Sequence, residues 1–248
     1  LRMPYPKSNV KQSETVQVWG IEPKTFAKVT DYKNSLQWKN PTTNQRDWLL
    51  LDAIANNEET LQSLLSPELW IEFVDLIKSA SHTLNFVEAN FLENTKALLN
   101  EEQWNTVLSF DVRLSGEDAL QQQGLDLSRN GKPGIVLGLH VNDGNVRMKN
   151  GTYQVSRNDY WWAPRFEGTL TMLPVDAKGG IIEPESIIMP FVNEFQSGVF
   201  AIDESLIFIP IDVAQSLLHM DEAKIVDLDD PATIIGVDPA RSTSILIR

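Results

Sequence analysis

The spacing of hydrophobic positions changes twice along the chain. Residues 15–21, TVQVWGI, alternate between apolar and polar side chains and predict a β-strand. Residues 26–32 and 35–38 are expected to be partly extended, up to a break at Asn40-Pro41. From about Thr43 the apolar positions recur at helical spacing, and after Gly124 they return to the short runs that are typical of strands.

The middle of the chain carries several helix signals. Ser66 is placed to cap a helix that has Pro67 at its first position, and Asn100 with Gln103 has the spacing of a capping box. Two apolar stripes at helical spacing mark the helices themselves: Leu69, Trp70, Phe73, Ile77 and Ala80, then Val87, Phe91, Thr95 and Leu98. We therefore predict three to five helices within an insertion at residues 44–122.

The residues outside this insertion are predicted to form a β-rich core. The run GIVLGLHV, which begins at Gly134, is apolar at successive positions, as expected of a strand buried on both faces. Asn150-Gly151 predicts a hairpin turn, and Asp212 with Gln215 is expected to cap a closing helix. Further strands are predicted from the segments EGTLTMLPV, SIIMPFVNEF, LIFIPI, TIIGV and TSILIR.

This pattern predicts an α+β fold. Residues 1–43 and 123–248 would form a mixed β-rich core with short capped helices, and the acidic all-helical insertion at 44–122 would interrupt it. The last segment, TSILIR, is patterned as a strand at the very end of the sequence, and the first residue is Leu1 rather than methionine. We therefore expect the chain to be a segment of a longer protein.

The negative charge is concentrated in the predicted helices. The net charge is −13, and residues 44–125 contain 14 acidic and 4 basic side chains. Such a balance argues against nucleic acid as a partner, because a nucleic-acid surface needs a basic patch. Two interpretations of the acidic helices remain: a face that is exposed to solvent, or a surface that binds a basic partner.

The sequence offers little for catalysis. Motifs of serine hydrolases, zinc peptidases and nucleotide-binding loops are absent, as is cysteine, and the three histidines are far apart. Residues 126–131 begin like a calcium loop, but Leu137 stands where a bidentate glutamate is required, so we predict an ordinary Asn-Gly turn. Asp203 and Glu204 would point to opposite faces of a strand. We expect no catalytic residues, no metal site and no cofactor.

One segment, YWWAPRF at 160–166, is unusual in its aromatic content. Aromatic side chains beside a proline and an arginine can stack on a sugar ring or form a partner surface, and they can equally close one end of a core. Both uses remain open at this stage. The residues of the possible ligand or partner surface are Tyr160, Trp161, Trp162, Arg165 and Phe166.

The order of several motifs resembles one known family. The strand at 133–138, the threonine-rich strand TLTMLPV and the stretch from 191 to 220 look like the extracytoplasmic domain of ABC-transporter permeases of the MacB, LolC and FtsX type. GIEP at 20–23 resembles a turn of that family, whereas residues 44–122 have no counterpart. The matching positions in the longest stretch are Phe191, Val192, Phe195, Ser197, Gly198, Asp203, Ile207, Pro210, Gln215, Leu217 and Leu218.

The resemblance implies a non-catalytic domain on the periplasmic side of the bacterial inner membrane. It would transmit ATP-driven motion to a lipoprotein or another extracytoplasmic protein. The resemblance also implies that ATP is bound by a separate cytoplasmic subunit, reached through membrane helices, and that a second permease subunit is a partner.

Two other functions stay open on the sequence alone. The first is a free-standing extracytoplasmic module that binds a glycan or a protein. The second is a hydrolase that uses carboxylates, since the sequence cannot show whether two of them come within about 5–10 Å of each other.

Overall fold

A computed structural model describes residues 2–7, 10–80, 90–154, 162–174, 183–226 and 232–242. It confirms the α+β fold. Residues 87, 160–161 and 243–248, on which some of the predictions fall, lie outside these ranges. The division into a core and an insertion remains a prediction.

Helices and strands alternate unevenly along the described chain. The α-helices are α1 Pro23–Val29, α2 Tyr32–Ser35, α3 Thr43–Asn56, α4 Glu58–Leu64, α5 Pro67–Ala80, α6 Phe91–Leu98, α7 Glu101–Ser109, α8 Ala119–Asp126, α9 Phe200–Asp203 and α10 Ile211–Leu217, and two 3-10 helices span Val112–Leu114 and Ala163–Arg165. The strands are β1 Arg2–Lys7, β2 Val10–Ser13, β3 Gln17–Ile21, β4 Ser128–Arg129, β5 Lys132–Pro133, β6 Ile135–Gly138, β7 Val146–Arg147, β8 Tyr153–Gln154, β9 Glu167–Met172, β10 Glu185–Phe195, β11 Leu206–Pro210, β12 Ala223–Val226 and β13 Ile234–Asp238.

Seven of these strands form one mixed sheet in the order β2-β1-β9-β10-β6-β11-β3. β10 runs parallel to β6, and β11 runs parallel to β3, while β6 and β11 are antiparallel, with Ile207 opposite Leu137. β12 and β13 pair as a separate ribbon, and β7 with β8 forms the predicted hairpin around Asn150-Gly151.

Both faces of the central strands are buried. Ile135 and Leu137 of β6 face a cluster closed by α10, whereas Val136 faces a cluster closed by α1, α2 and α8. This arrangement explains why the sequence of β6 is apolar at successive positions rather than alternating. A third cluster lies among α3 to α7 and contains Leu49, Leu50 and Phe73.

Capping hydrogen bonds confirm most of the predicted helix starts. Ser66 accepts a hydrogen bond from the backbone N–H of Leu69 at 3.3 Å, and the capping box of Asn100 and Gln103 is present. The predicted cap at Asp212 is wrong. The closing helix begins one residue earlier, at Ile211, and Asp212 lies in its first turn without a capping hydrogen bond.

The prediction of partly extended chain was wrong for residues 26–32, which lie mostly in α1 and at the start of α2, but it holds for part of 35–38, since Leu36 is extended and forms an isolated bridge with Phe195. α1 begins at this point because Glu22 accepts a hydrogen bond from the N–H of Thr25 and Pro23 occupies the first helical position. Phe26 of α1 then packs against Tyr32 and Phe208. Packing on the sheet therefore outweighs the weak local pattern.

Gly138 of β6 leaves no room for a side chain, because the backbone around Asp203 and Leu206 lies against it. A Cβ atom at this position would lie 2.5 Å from the carbonyl oxygen of Asp203 and 2.9 Å from that of Leu206. Because backbone cannot move aside as a side chain can, Gly138→Ala should lower the free energy of unfolding by about 1–3 kcal/mol. Urea denaturation followed by circular dichroism measures this loss.

Gly116→Ala is the matched control for this substitution. An added Cβ there would meet no atom closer than 3.4 Å, and the residue is exposed. We expect its stability to stay within about 0.5 kcal/mol of the unaltered chain. Equal losses in the two variants would contradict the assigned importance of Gly138.

Candidate functional site: a buried polar junction between the helices and the sheet

Residues 162–166 connect two of the three hydrophobic clusters described above. The side chain of Trp162 is fully buried and belongs to the cluster among α3 to α7, whereas Ala163 belongs to the cluster on the sheet. The indole of Trp162 meets that of Trp38 edge-to-face, with 5.6 Å between ring centroids. Trp162 is therefore part of the core and offers no surface to a ligand.

The other described residues of this segment are also engaged within the chain. Arg165 is only 9% exposed and donates from Nε and Nη2 to the two carboxylate oxygens of Asp52. Its guanidinium lies over the ring of Trp48 at 4.4 Å, and Phe166 is partly buried. Tyr160 and Trp161 lie outside the described residues, so their part in a recognition surface remains a prediction.

Two buried arginines donate hydrogen bonds to the same carbonyl oxygen of this segment. Arg113, from the helical side, and Arg129, from β4, both donate to the carbonyl oxygen of Pro164. Asp111 accepts from Nε of Arg113 at 2.8 Å, and Glu167 lies 3.6 Å from Nη2 of Arg129. Burial, together with the charge of Arg113, lowers the pKa of Arg129 to about 9.

The helical region, residues 43–114, extends from α3 to the first 3-10 helix. A buried asparagine near the end of β10 binds the chain on both sides of this region. Asn193 donates from Nδ2 to the carbonyl oxygens of Trp38, at 2.7 Å, and Leu120, at 2.8 Å, and its Oδ1 accepts from the N–H of Trp38. The chain enters the helical region shortly after Trp38 and leaves it shortly before Leu120, so one side chain fixes the spacing of these two points.

The next residue, Glu194, is a fully buried carboxylate. Its Oε1 accepts from the side-chain amides of Asn142 at 2.8 Å and Asn145 at 2.9 Å, and its Oε2 accepts from the indole N–H of Trp38 at 2.6 Å. Burial raises the pKa of Glu194, and the three hydrogen bonds partly offset that rise. Glu194 thus ties β10 to the loop after β6 and to the entry of the helical region.

The raised pKa of Glu194 predicts how stability depends on pH. A carboxyl whose pKa is higher in the folded state contributes stability below its ordinary pKa, and this contribution is lost as the pH rises through the folded value. The buried Asp47, whose pKa burial also raises, acts in the same direction. As the pH rises above the ordinary pKa of a glutamate, we expect Glu194→Gln to lose less stability than the unaltered chain, as measured by thermal denaturation at a series of pH values.

Glu22 provides a control of opposite sign. Its hydrogen bonds to Thr25 lower its pKa, so its contribution is present above the ordinary pKa and is lost as the pH falls. Glu22→Gln should therefore flatten only the acid side of the profile. An identical pH profile for Glu194→Gln and the unaltered chain would contradict the role of Glu194.

The longest stretch of the family resemblance runs from β10 through α9 and β11 to α10, whereas its other parts lie in or beside β3, β6 and β9. Asp203, which ends α9 rather than lying in a strand, is buried and accepts from the N–H of Ser197 at 2.6 Å. Its own carbonyl oxygen accepts from the N–H of His140. Gly198 has a φ of 82° in the tight turn before α9. Each of these contacts fixes backbone.

The structure also contains a cleft that the sequence did not indicate. It measures about 410 Å³ and lies along the outer edge of β3, between α1 and α10. Its walls are mainly apolar, and Trp19, Phe26, Ile211 and Leu218 contribute to them. Because its residues come from four separate segments, no single motif could have revealed it.

The described ranges contain neither a cluster of metal-ligating side chains nor a candidate membrane span. No group of three or more histidine, aspartate and glutamate side chains there is arranged to hold a metal ion. Among the same residues, no helix is long and apolar enough to span a membrane.

The chain was compared with protein-family models and with curated proteins. Neither comparison found a match.

Proposed function

We propose that the chain is the non-catalytic extracytoplasmic domain of an ABC-transporter permease subunit of the MacB, LolC and FtsX type. The observation that carries the proposal is that the longest stretch of the resemblance, from Phe191 to Leu218, contributes β10 and β11 to the middle of the sheet. In this proposal ATP is bound and hydrolysed by a separate cytoplasmic subunit. The domain itself needs no cofactor.

The junction supports a mechanical role for this unit. In this proposal, force that reaches the sheet passes to the helical region through Asn193, which binds the chain just before and just after that region, and through Trp162, which is inserted into its core. The carboxylate of Glu194 is occupied by three donors of the same chain, and that of Asp203 accepts from the N–H of Ser197. Groups held in this way stiffen a structure, and stiffness is what transmission of motion requires.

The proposal places the domain on the periplasmic side of the bacterial inner membrane. Its partners would be the cytoplasmic ATPase, through membrane helices, a second permease subunit, and a lipoprotein or other extracytoplasmic protein. The burial of Trp162 removes one of the aromatic residues on which a glycan-binding module was based.

Membrane association and topology of the intact protein test the proposal. A reporter inserted between Ser115 and Gly116, which are exposed, should leave the fold intact. We expect the protein to remain in the membrane pellet after extraction at alkaline pH, and the reporter to be active outside the cytoplasm. A protein that washes off the membrane, or a reporter active only in the cytoplasm, would overturn the proposal.

A further inference from the structure

The strand β3 lies at the edge of the sheet and turns one row of backbone groups towards the apolar cleft. The N–H of Gln17 donates to the carbonyl oxygen of Ser205, at the start of the parallel pairing with β11. Successive residues of a strand direct their backbone groups to opposite sides, so the N–H and C=O groups of Val18 and Gly20 point away from β11. Within the described part of the chain, nothing forms a hydrogen bond with these outward groups. Such a row of donors and acceptors is complementary to the backbone of another extended chain.

The cleft has an apolar wall on each face of this edge. Ile211, Ala214 and Leu218 of α10 form one wall, and Phe26 and Val29 of α1 form the other. These two helices cover opposite faces of the sheet. A strand added to β3 would therefore be buried on both faces, and such a strand needs apolar side chains at successive positions.

The charges at the cleft favour a basic partner. Two ionisable side chains line it, Glu22 and Arg241, and the guanidinium of Arg241 is already paired with Asp238. Glu22 forms no ion pair with any described residue. Its hydrogen bonds to Thr25 lower its pKa, so the carboxylate is ionised at neutral pH. A lysine or arginine of the partner would complement this charge.

We propose that the cleft binds an extended segment of a partner protein as an additional strand on β3. The segment is apolar at successive positions and carries a lysine or arginine that meets Glu22. A second copy of the chain is a poorer fit, because its own β3 lies in the same cleft, and the helices α1 and α10 of the two copies would meet before the strands could pair. The site is separate from the buried junction and does not depend on the transporter proposal.

Amide hydrogen exchange of the chain alone, followed by NMR spectroscopy, is the first test. The N–H groups of Trp19 and Ile21 point towards β11 and should be protected. Those of Val18 and Gly20 should exchange at least about tenfold faster, because no partner holds them. Equal protection of all four would show that another part of the chain or a second copy already occupies the edge, and this result would overturn the inference.

A library of random displayed peptides, selected on the chain, provides the probe. We expect the enriched peptides to combine apolar residues at successive positions with a lysine or arginine. Addition of an enriched peptide should slow the exchange of the Val18 and Gly20 amides, while those of Trp19 and Ile21 change little. Enriched peptides without this pattern, or binding that leaves the exchange of Val18 and Gly20 unchanged, would contradict the proposal.

Removing backbone donors separates strand pairing from simple apolar contact. Methylation of the peptide's backbone nitrogens leaves the protein unaltered and should weaken binding by about tenfold or more, since several hydrogen bonds are lost. Val18→Pro removes the outward N–H but none of the hydrogen bonds to β11, and proline is tolerated at such edge positions. It should weaken binding as well, whereas the matched control Val18→Ile keeps the N–H and should bind normally. Equal affinities for the methylated and unmodified peptides would show that the ligand does not pair with β3.

Discussion

Replacing Trp162 with alanine should cost about 3–5 kcal/mol of the free energy of unfolding, the range measured for large aromatic side chains removed from cores. The side chain is fully buried in the cluster among α3 to α7, next to the residues that join this cluster to the sheet. Its loss would leave a cavity and remove the edge-to-face partner of Trp38. Urea denaturation followed by far-ultraviolet circular dichroism measures the loss without relying on tryptophan fluorescence.

Trp19→Ala is the matched control for this substitution. Trp19 is 47% exposed on the edge strand β3, so its truncation should cost only about 1 kcal/mol. Trp162→Phe should cost less than Trp162→Ala, because the ring fills most of the space and the indole nitrogen of Trp162 makes no hydrogen bond among the described residues. Similar losses for Trp19→Ala and Trp162→Ala would show that Trp162 does not hold the junction.

Local sequence patterns predicted the parts of the fold that depend on neighbouring residues. The helix starts at Ser66 and Asn100 and the hairpin at Asn150-Gly151 each depend on side chains within three residues, and all three are confirmed. The two-sided burial of β6 could also be predicted, since its apolar run reflects the two layers that cover it. The helix α1 was missed although its start is local, with Glu22 as cap and Pro23 at the first helical position, whereas its place on the sheet depends on the distant Phe208.

The candidate site was largely hidden from sequence analysis for the same reason. Asn193 and Glu194 lie within a strand whose sequence is mainly apolar, and their partners Trp38, Asn142 and Asn145 are between 49 and 156 positions away. Two adjacent polar residues in a buried strand were nevertheless a signal, since polar groups at such positions need partners. The aromatic segment at 160–166 did indicate the junction. Its described tryptophan, Trp162, is buried in a hydrophobic cluster and does not form a recognition surface.

Removing the charge of Arg113 should have the other large effect. The side chains of Arg113 and Asp111 are each only 8% exposed, and the two form a buried ion pair. Arg113→Met would leave Asp111 buried without its cation, a change that typically costs about 3–5 kcal/mol. The carbonyl oxygen of Pro164 would keep its hydrogen bond from Arg129, so the loss would come mainly from the uncompensated carboxylate. Chemical denaturation at neutral pH measures it.

A paired substitution shows whether charge or shape is responsible. Asp111→Asn combined with Arg113→Met removes both charges, and the asparagine oxygen can still accept from the N–H of residue 113, so most of the lost stability should return. Lys78→Met, which breaks an exposed ion pair with Asp75, should change stability by less than about 1 kcal/mol. If the paired variant were no more stable than Arg113→Met alone, the junction would depend on the packing of the arginine side chain, and the buried ion pair would not be what joins the helices to the sheet.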